Sequence, residues 1–166
     1  MPSRILVALR VRVTPERAFE AFTSEIGQWW QPNGLFQFTR RGPGRLAFTP
    51  GPDGRLMETH ADGEVFEVGR ITVWDPPTEL AFHWRQASFT PDQTTHVRVR
   101  FESVDLGTRV TVEHIGWDGI ARDNAARHGF PLDVFQLRHA EWWRALLEAY
   151  RNRLDRAFGA GRSATV

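Results

Sequence analysis

Residues 4 to 13, RILVALRVRV, alternate: Ile5, Val7, Leu9, Val11 and Val13 fall on one face, while Arg4, Arg10 and Arg12 fall on the other. Successive side chains of a strand point to opposite faces, so this pattern predicts a half-buried strand. The period then changes. Thr14 suits a helix N-cap, Pro15 the first helical position and Glu16 the positive end of the dipole, and Ala18, Phe19 and Phe22 form an apolar stripe. Thr23-Ser24-Glu25 restarts a short second helix carrying Ile26, Trp29 and Trp30, which Pro32-Asn33-Gly34 ends.

From there to residue 117 the chain offers short β-rich runs: LFQFT, GRLAFT, GRLMETH, GEVFEVGRITVWDPPTELAFHW, TTHVRVRFESV and TRVTVEHIGW. The turns between and within them, PGPDG, ADG, DPPT, ASFTPDQ and DLG, are too short for the crossovers that parallel pairs need, so antiparallel hairpins are expected. In the long run, residues 63–84, the register before Gly69 has two solutions. Strict alternation from Ile71 and Val73 turns Glu67 inward with Val65 and leaves Phe66 and Val68 outside. A bulge at Gly69 buries Phe66 and Val68 with Ile71 and Val73 and puts Glu67 in solvent; the apolar side chains favour the bulge. A buried Glu67 would instead be a general-base candidate. Beyond the Pro-Pro corner, Leu80, Phe82 and Trp84 continue the face of Ile71 and Val73.

The last element runs from about Pro131 to Phe158. At 100° per residue, Leu132, Phe135, His139, Trp142, Trp143, Leu146, Leu147, Tyr150 and Leu154 share one broad arc. A helix of this length spans roughly 40 Å, and only a whole sheet can cover such a stripe. The expected class is therefore α+β: a curved antiparallel sheet of about seven strands, two short helices after the first strand, and a long C-terminal helix packed across the sheet. One domain is expected over residues 1–158, with residues 159–166, GAGRSATV, as a disordered tail.

Composition narrows the chemistry. With 41% hydrophobic and 25% charged residues over 166 positions, the chain belongs with globular single domains. No apolar run approaches the roughly 20 residues that span a bilayer, and the N-terminus does not read as a signal peptide, so a cytoplasmic location and no membrane partner are expected. There is no cysteine, which excludes thiolate catalysis, disulfides and thiolate metal sites. All 21 basic residues are arginine, which excludes a Schiff-base lysine and a P-loop. The net charge of +1, with arginines and acids interspersed, argues against a nucleic-acid partner. Arg40, Arg41 and Arg45 around Gly42-Pro43-Gly44 read as a solvated hairpin tip. The residues leave a homodimer open.

Four segments carry a resemblance: TPERAFEAFTSEIGQWW, GRITVWDPPTELAFHW, GTRVTVEHIGW and EWWRALLEAYRNRL. Over about residues 4 to 155 the chain resembles the START-like, birch-pollen-allergen-like (SRPBCC) superfamily. Within it, the chain is similar to the family related to the C-terminal domain of the activators of the heat-shock protein 90 ATPase. The resemblance implies a helix-grip fold enclosing a hydrophobic cavity for a lipid-like, aromatic or polyketide-like ligand. It implies no reaction, because the superfamily mixes binding proteins, self-resistance proteins and cyclases without a common catalytic set.

Candidate site residues follow from which face each occupies. Alternation sets His114 with Val110 and Val112, so it is either a hydrogen-bonded core histidine or a polar anchor or proton donor in the cavity, and the resembled family has a histidine at this place. His139 lies on the apolar arc of the last helix and has the same two readings. Trp30, Trp84, Trp117, Trp142 and Trp143 are either core packing or the lining of a pocket for flat ligands. His60, His83, His96 and His128 show no metal-ligand spacing, His83 and His96 falling on the outer face, so neither a metal nor a cofactor is expected. The expected function is binding of a hydrophobic, aromatic or polyketide-like small molecule, with a cyclase- or hydrolase-like enzyme using a cavity histidine, and a chaperone-associated interaction module, as alternatives.

Overall fold

Thr14 starts the first helix as its position predicts: its hydroxyl accepts the Arg17 amide at 3.3 Å, and Pro15 follows it into the first turn. In the computed structural model, which describes residues 4–164, this helix is α1 (Pro15–Ser24), preceded by β1 (Arg4–Val11) and followed by α2 (Ile26–Trp29). Six strands come next: β2 (Arg45–Phe48), β3 (Arg55–Thr59), β4 (Val65–Asp75), β5 (Glu79–Trp84), β6 (Thr95–Val104) and β7 (Gly107–Ile115). The long helix α3 (Leu132–Ala164) completes the chain.

The strands make one antiparallel sheet in the order β1-β7-β6-β5-β4-β3-β2. Only β1 is out of chain order; it pairs with β7, setting Ile5 opposite His114 and Val7 opposite Val112. The sheet is curved, and its concave face carries Ile5, Val7, Leu80, Phe82, Trp84, Val97, Val99, Phe101, Val110 and Val112, all buried. Helix α3 lies across that face and buries Phe135, His139, Trp142, Trp143, Leu146, Leu147, Tyr150 and Leu154, with Leu132 half-buried. This is the predicted α+β helix-grip class, and the apolar arc of α3 is the surface gripped. At the far end, Tyr150 donates its hydroxyl to the Ala18 carbonyl at 2.6 Å, and the Glu25 carboxylate accepts both Arg17 and Arg153, which ties α1 to α3.

The register question around Gly69 resolves as a bulge. Leu56 pairs with Gly69 but Met57 with Glu67, so Val68 is the extra residue; it is buried, while Glu67 is exposed and paired with Arg55 at 2.9 Å. A second bulge further along was not expected. Ile71 pairs with Phe82 and Val73 with Ala81, which leaves Thr72 unmatched and reverses the faces beyond it. Val73, expected inside, therefore sits on the outer face, and Trp74 packs its ring edge-on to Phe19 at 5.1 Å instead. Phe66, expected to be buried, is half-buried.

Two other expectations need correction. LFQFT is not a strand. The Asn33 side chain accepts the Leu35 and Phe36 amides at 2.7 and 3.2 Å, so these donors are satisfied by a local turn rather than a ladder, although Phe36 and Phe38 are buried. Helix α3 also runs past Phe158, through residues 159–164 of the expected tail, since an established helix gains one hydrogen bond for each residue it adds. Residues 165–166 of that tail lie outside the described residues. No helix among the described residues is long and apolar enough to cross a membrane.

Candidate functional site

Near its β5–β6–β7 strands the concave face meets the N-terminal half of α3, and here the predicted aromatic and histidine residues converge. His114 is fully buried. The Trp143 indole N–H, which can only donate, reaches His114 Nδ1 at 3.2 Å, so that nitrogen accepts and the ring proton sits on Nε2. Nε2 is 2.8 Å from Thr95 Oγ1, and the Thr95 hydroxyl in turn donates to the Trp84 carbonyl at 2.8 Å. Every member of the chain Trp143, His114, Thr95, Trp84 is used. Burial pushes the His114 pKa well below the ordinary 6.5, with His139 and His96 adding to the effect. His114 is thus a neutral imidazole with both nitrogens occupied, and it has no proton to exchange unless this chain breaks.

His139 is equally buried but neither ring nitrogen has a hydrogen-bond partner among the described residues. It is surrounded by Phe36 at 4.8 Å, His114 at 5.1 Å, Trp117 at 5.2 Å and Trp142 at 5.3 Å between ring centroids. Burial lowers its pKa from 6.5 to about 3. The indole N–H groups of Trp84 and Trp117 are likewise without partners. Rings at these separations fill the space between sheet and helix, so these residues form a packed wall.

Open space lies beside that wall, at the mouth of the grip. A cleft of about 750 Å³ is bounded by three loops: Gly34 to Arg41, Gln86 to Ser88, and Ala125 to His128. The loops are tied to one another. The Ala87 amide donates to the Phe38 carbonyl at 2.8 Å, Ser88 Oγ donates to Asn124 Oδ1 at 2.8 Å, Asn124 Nδ2 donates to the Ser88 carbonyl at 3.1 Å, and His128 Nε2 donates to the Leu35 carbonyl. Buried Arg127 braces the third loop from within, donating to the carbonyls of Ile120 and Phe130 at 2.7 Å each. Among the residues lining the cleft, the charged side chains are Arg40 and Arg41, and Arg41 pairs with Asp62 outside it. Phe38 is the link inward: it lines the cleft and packs on Trp84 at 4.8 Å.

A smaller slot of about 100 Å³ opens on the other side of Phe38, with Trp30, Phe36, Leu46, Glu58 and Trp142 among its walls. Glu58 enters it because β3 alternates Leu56, Glu58 and then His60 inward. The pair is buried at 4% and 8% exposure. Burial pushes the Glu58 carboxyl up, and a hydrogen bond from the Gly44 backbone and the nearby His60 only partly oppose this. Among the described residues no group of three or more histidine or acidic side chains is placed to hold a metal ion.

Of the seven predicted site residues, Trp84, His114, Trp117, His139 and Trp143 lie in the packed wall and line neither the cleft nor the slot, whereas Trp30 and Trp142 border the slot. The cleft residues were not anticipated, since they come from irregular loops where no period marks an inward face. Glu58 and His60 could have been found: LMETH alternates like any half-buried strand, with a carboxylate and an imidazole at inward positions.

No curated protein matches the chain. Solved structures do match over nearly its full length. Protein MLL2253 from Mesorhizobium loti is 19% identical with a TM-score of 0.63, covering 93% of this chain and 98% of its own. An Hsp90 activator from Plasmodium falciparum, PFC0360w, is 17% identical with a TM-score of 0.63, covering 92% and 96%. An anthrahydroquino-gamma-pyrone synthase, Txn09, solved in complex with SUM, is 27% identical with a TM-score of 0.55, covering 92% and 96%. Residues 12–154 match the model of one family, which takes in both short helices after β1, the whole sheet from β2 onward and the gripped part of α3. The chain belongs to that family, described as Activator of Hsp90 ATPase homolog 1-like protein.

Proposed function

We propose that the protein binds a flat, largely apolar or aromatic small molecule in the cleft at the mouth of the grip, with an acidic or hydrogen-bond-accepting edge turned toward Arg40 and Arg41. The observation that carries this is the construction of the cleft. Three loops from distant parts of the chain are hydrogen-bonded into one rim around about 750 Å³, a volume within the usual range of small-molecule sites. Phe38 gives it an aromatic side, and Gln37, Gln86, Ser88 and His128 add polar groups that can fix orientation. The packed tryptophans behind Phe38 serve as a stiff backing. The likeness to an anthrahydroquino-gamma-pyrone synthase, at 27% identity, supports the same ligand class.

Catalysis by a cavity histidine has less support, since both His114 nitrogens are engaged and His139 borders neither opening. The test is a titration of the full chain with dihydroxyanthraquinone, followed by tryptophan fluorescence and melting temperature. Ligand that binds the folded state raises the melting temperature in proportion to RT ln(1 + [L]/Kd). Saturable quenching with a rising melting temperature supports the reading; no change in either at ligand saturation of the solution would remove it for this class.

A further inference from the structure

The slot behind Phe38 has a composition opposite to that of the cleft. Among the described residues lining it, the one charge is the Glu58 carboxylate, and no arginine pairs with it. Glu58 Oε1 lies 3.1 Å from His60 Nε2, an ion-pair distance, but no hydrogen bond forms between them and both atoms are otherwise without partners. A carboxylate so placed is costly: buried charge is tolerated when it is paired, and removing its partner typically leaves a large penalty. Around it stand four aromatic rings. Trp30 and Trp142 meet edge to face at 5.6 Å, Phe36 stacks on Trp142 at 5.4 Å, and Phe38 stacks on Trp30 at 6.2 Å. Gly44 is required at its rim, because a Cβ there would stand 2.7 Å from both Glu58 Cγ and the Thr59 carbonyl.

We infer that the slot is a binding site for a small organic ammonium ion, with Glu58 as its counter-ion and the rings of Trp30, Phe36, Phe38 and Trp142 as its walls. A cation supplies what the carboxylate lacks, a full positive charge, and aromatic faces attract the same cation electrostatically. The slot's about 100 Å³ admits one compact headgroup rather than a polycyclic body. A neutral hydroxylated ring would gain one hydrogen bond to Glu58 but would leave the buried charge in place, so the observations favour the ammonium ion. This inference does not depend on the cleft: the two openings share Gln37 and Phe38 but differ in charge and size.

The test compares two molecules of nearly equal shape, tert-butylammonium chloride and tert-butanol, titrated into the full chain at neutral pH. The readout is the indole N–H NMR signals of Trp30 and Trp142, with that of Trp143 as an internal reference outside the slot. The expected result is a saturable shift at Trp30 and Trp142 with the ammonium ion, at an affinity roughly tenfold or more above the alcohol's, as a cation–π contact plus an ion pair implies. The variant Glu58→Gln should abolish that difference while dihydroxyanthraquinone binding at the cleft is unchanged. Equal affinity for ammonium and alcohol, the absence of a saturable shift, or full ammonium binding by Glu58→Gln would each overturn the inference. Should Glu58→Gln fail to fold, the charged and neutral probes on the unaltered protein still decide it.

Discussion

Trp143 donates its indole proton to Nδ1 of His114, 29 positions away in the chain, at 3.2 Å, and thereby determines which nitrogen of a fully buried imidazole carries hydrogen. That one contact joins α3 to β7 and sends the remaining proton through Thr95 to the backbone of β5. The interior histidine is a structural cross-link among the gripped helix and three strands, and both of its nitrogens are engaged away from the cleft.

Thr95→Val keeps the shape of the side chain and removes the hydroxyl, leaving the His114 Nε2 proton buried without a partner, while the Trp84 carbonyl keeps its place in the β5–β6 ladder. A loss of about 1–3 kcal/mol is expected from the one orphaned polar group, read from the midpoint of urea unfolding. A loss below about 0.5 kcal/mol would mean that the chain from Trp143 to Trp84 is not formed.

The buried histidines make stability depend on pH. His139 has its pKa lowered from 6.5 to about 3 by burial, and His114 is lowered as well. As pH falls below 6.5 the unfolded chain takes up protons that the folded one refuses, so stability falls with pH between about 6.5 and 3, by about 2 kcal/mol at pH 5 for His139. His139→Leu should flatten this slope and, because it removes two unpartnered nitrogens, should leave stability at neutral pH equal or raise it by about 1 kcal/mol. A marked destabilisation at neutral pH would show that His139 has a hydrogen-bond partner in solution.

Gly69 holds the first bulge by the lack of a side chain. A Cβ there would stand 1.8 Å from the His83 carbonyl, a backbone atom that cannot turn aside. Gly69→Ala should cost about 3–5 kcal/mol. Gly119→Ala, where a Cβ meets nothing within 4 Å, should stay within about 0.5 kcal/mol of the parent in the same measurement.

The legible parts of this fold were those with a period. The alternation of β1 and β7, the cap at Thr14 and the arc of α3 each state an inward face, and the sheet and the gripped helix follow from them. The bulge at Gly69 could be read because strict alternation would have exposed Phe66 and Val68. The bulge at Thr72 could not, because Val73 and Trp74 are both apolar and either could face inward; the neighbouring Phe19 decides it. The tryptophans and histidines of the site were recognisable as inward-facing, but periodicity does not distinguish a wall from an opening. That distinction lies in loop-to-loop hydrogen bonds such as Ala87 to Phe38 and Ser88 to Asn124, between segments with no local pattern.

Ala87→Trp would place an indole in the cleft from an exposed position on its rim. Stability should change by about 0.5 kcal/mol or less, as at other surface positions, while affinity for dihydroxyanthraquinone falls by about tenfold or more through loss of volume. Unaltered affinity would place the ligand elsewhere.

The most direct measurement is the amide and indole NMR spectrum of the full chain titrated with dihydroxyanthraquinone. Binding at the mouth predicts the largest shifts at Phe38, Gln86, Ala87, Ser88 and His128, with the indole signals of Trp117 and Trp143 nearly unmoved. Largest shifts at Trp117, Trp143 and the strand around His114 would contradict it, and would mean that the ligand enters between sheet and helix by displacing the aromatic wall.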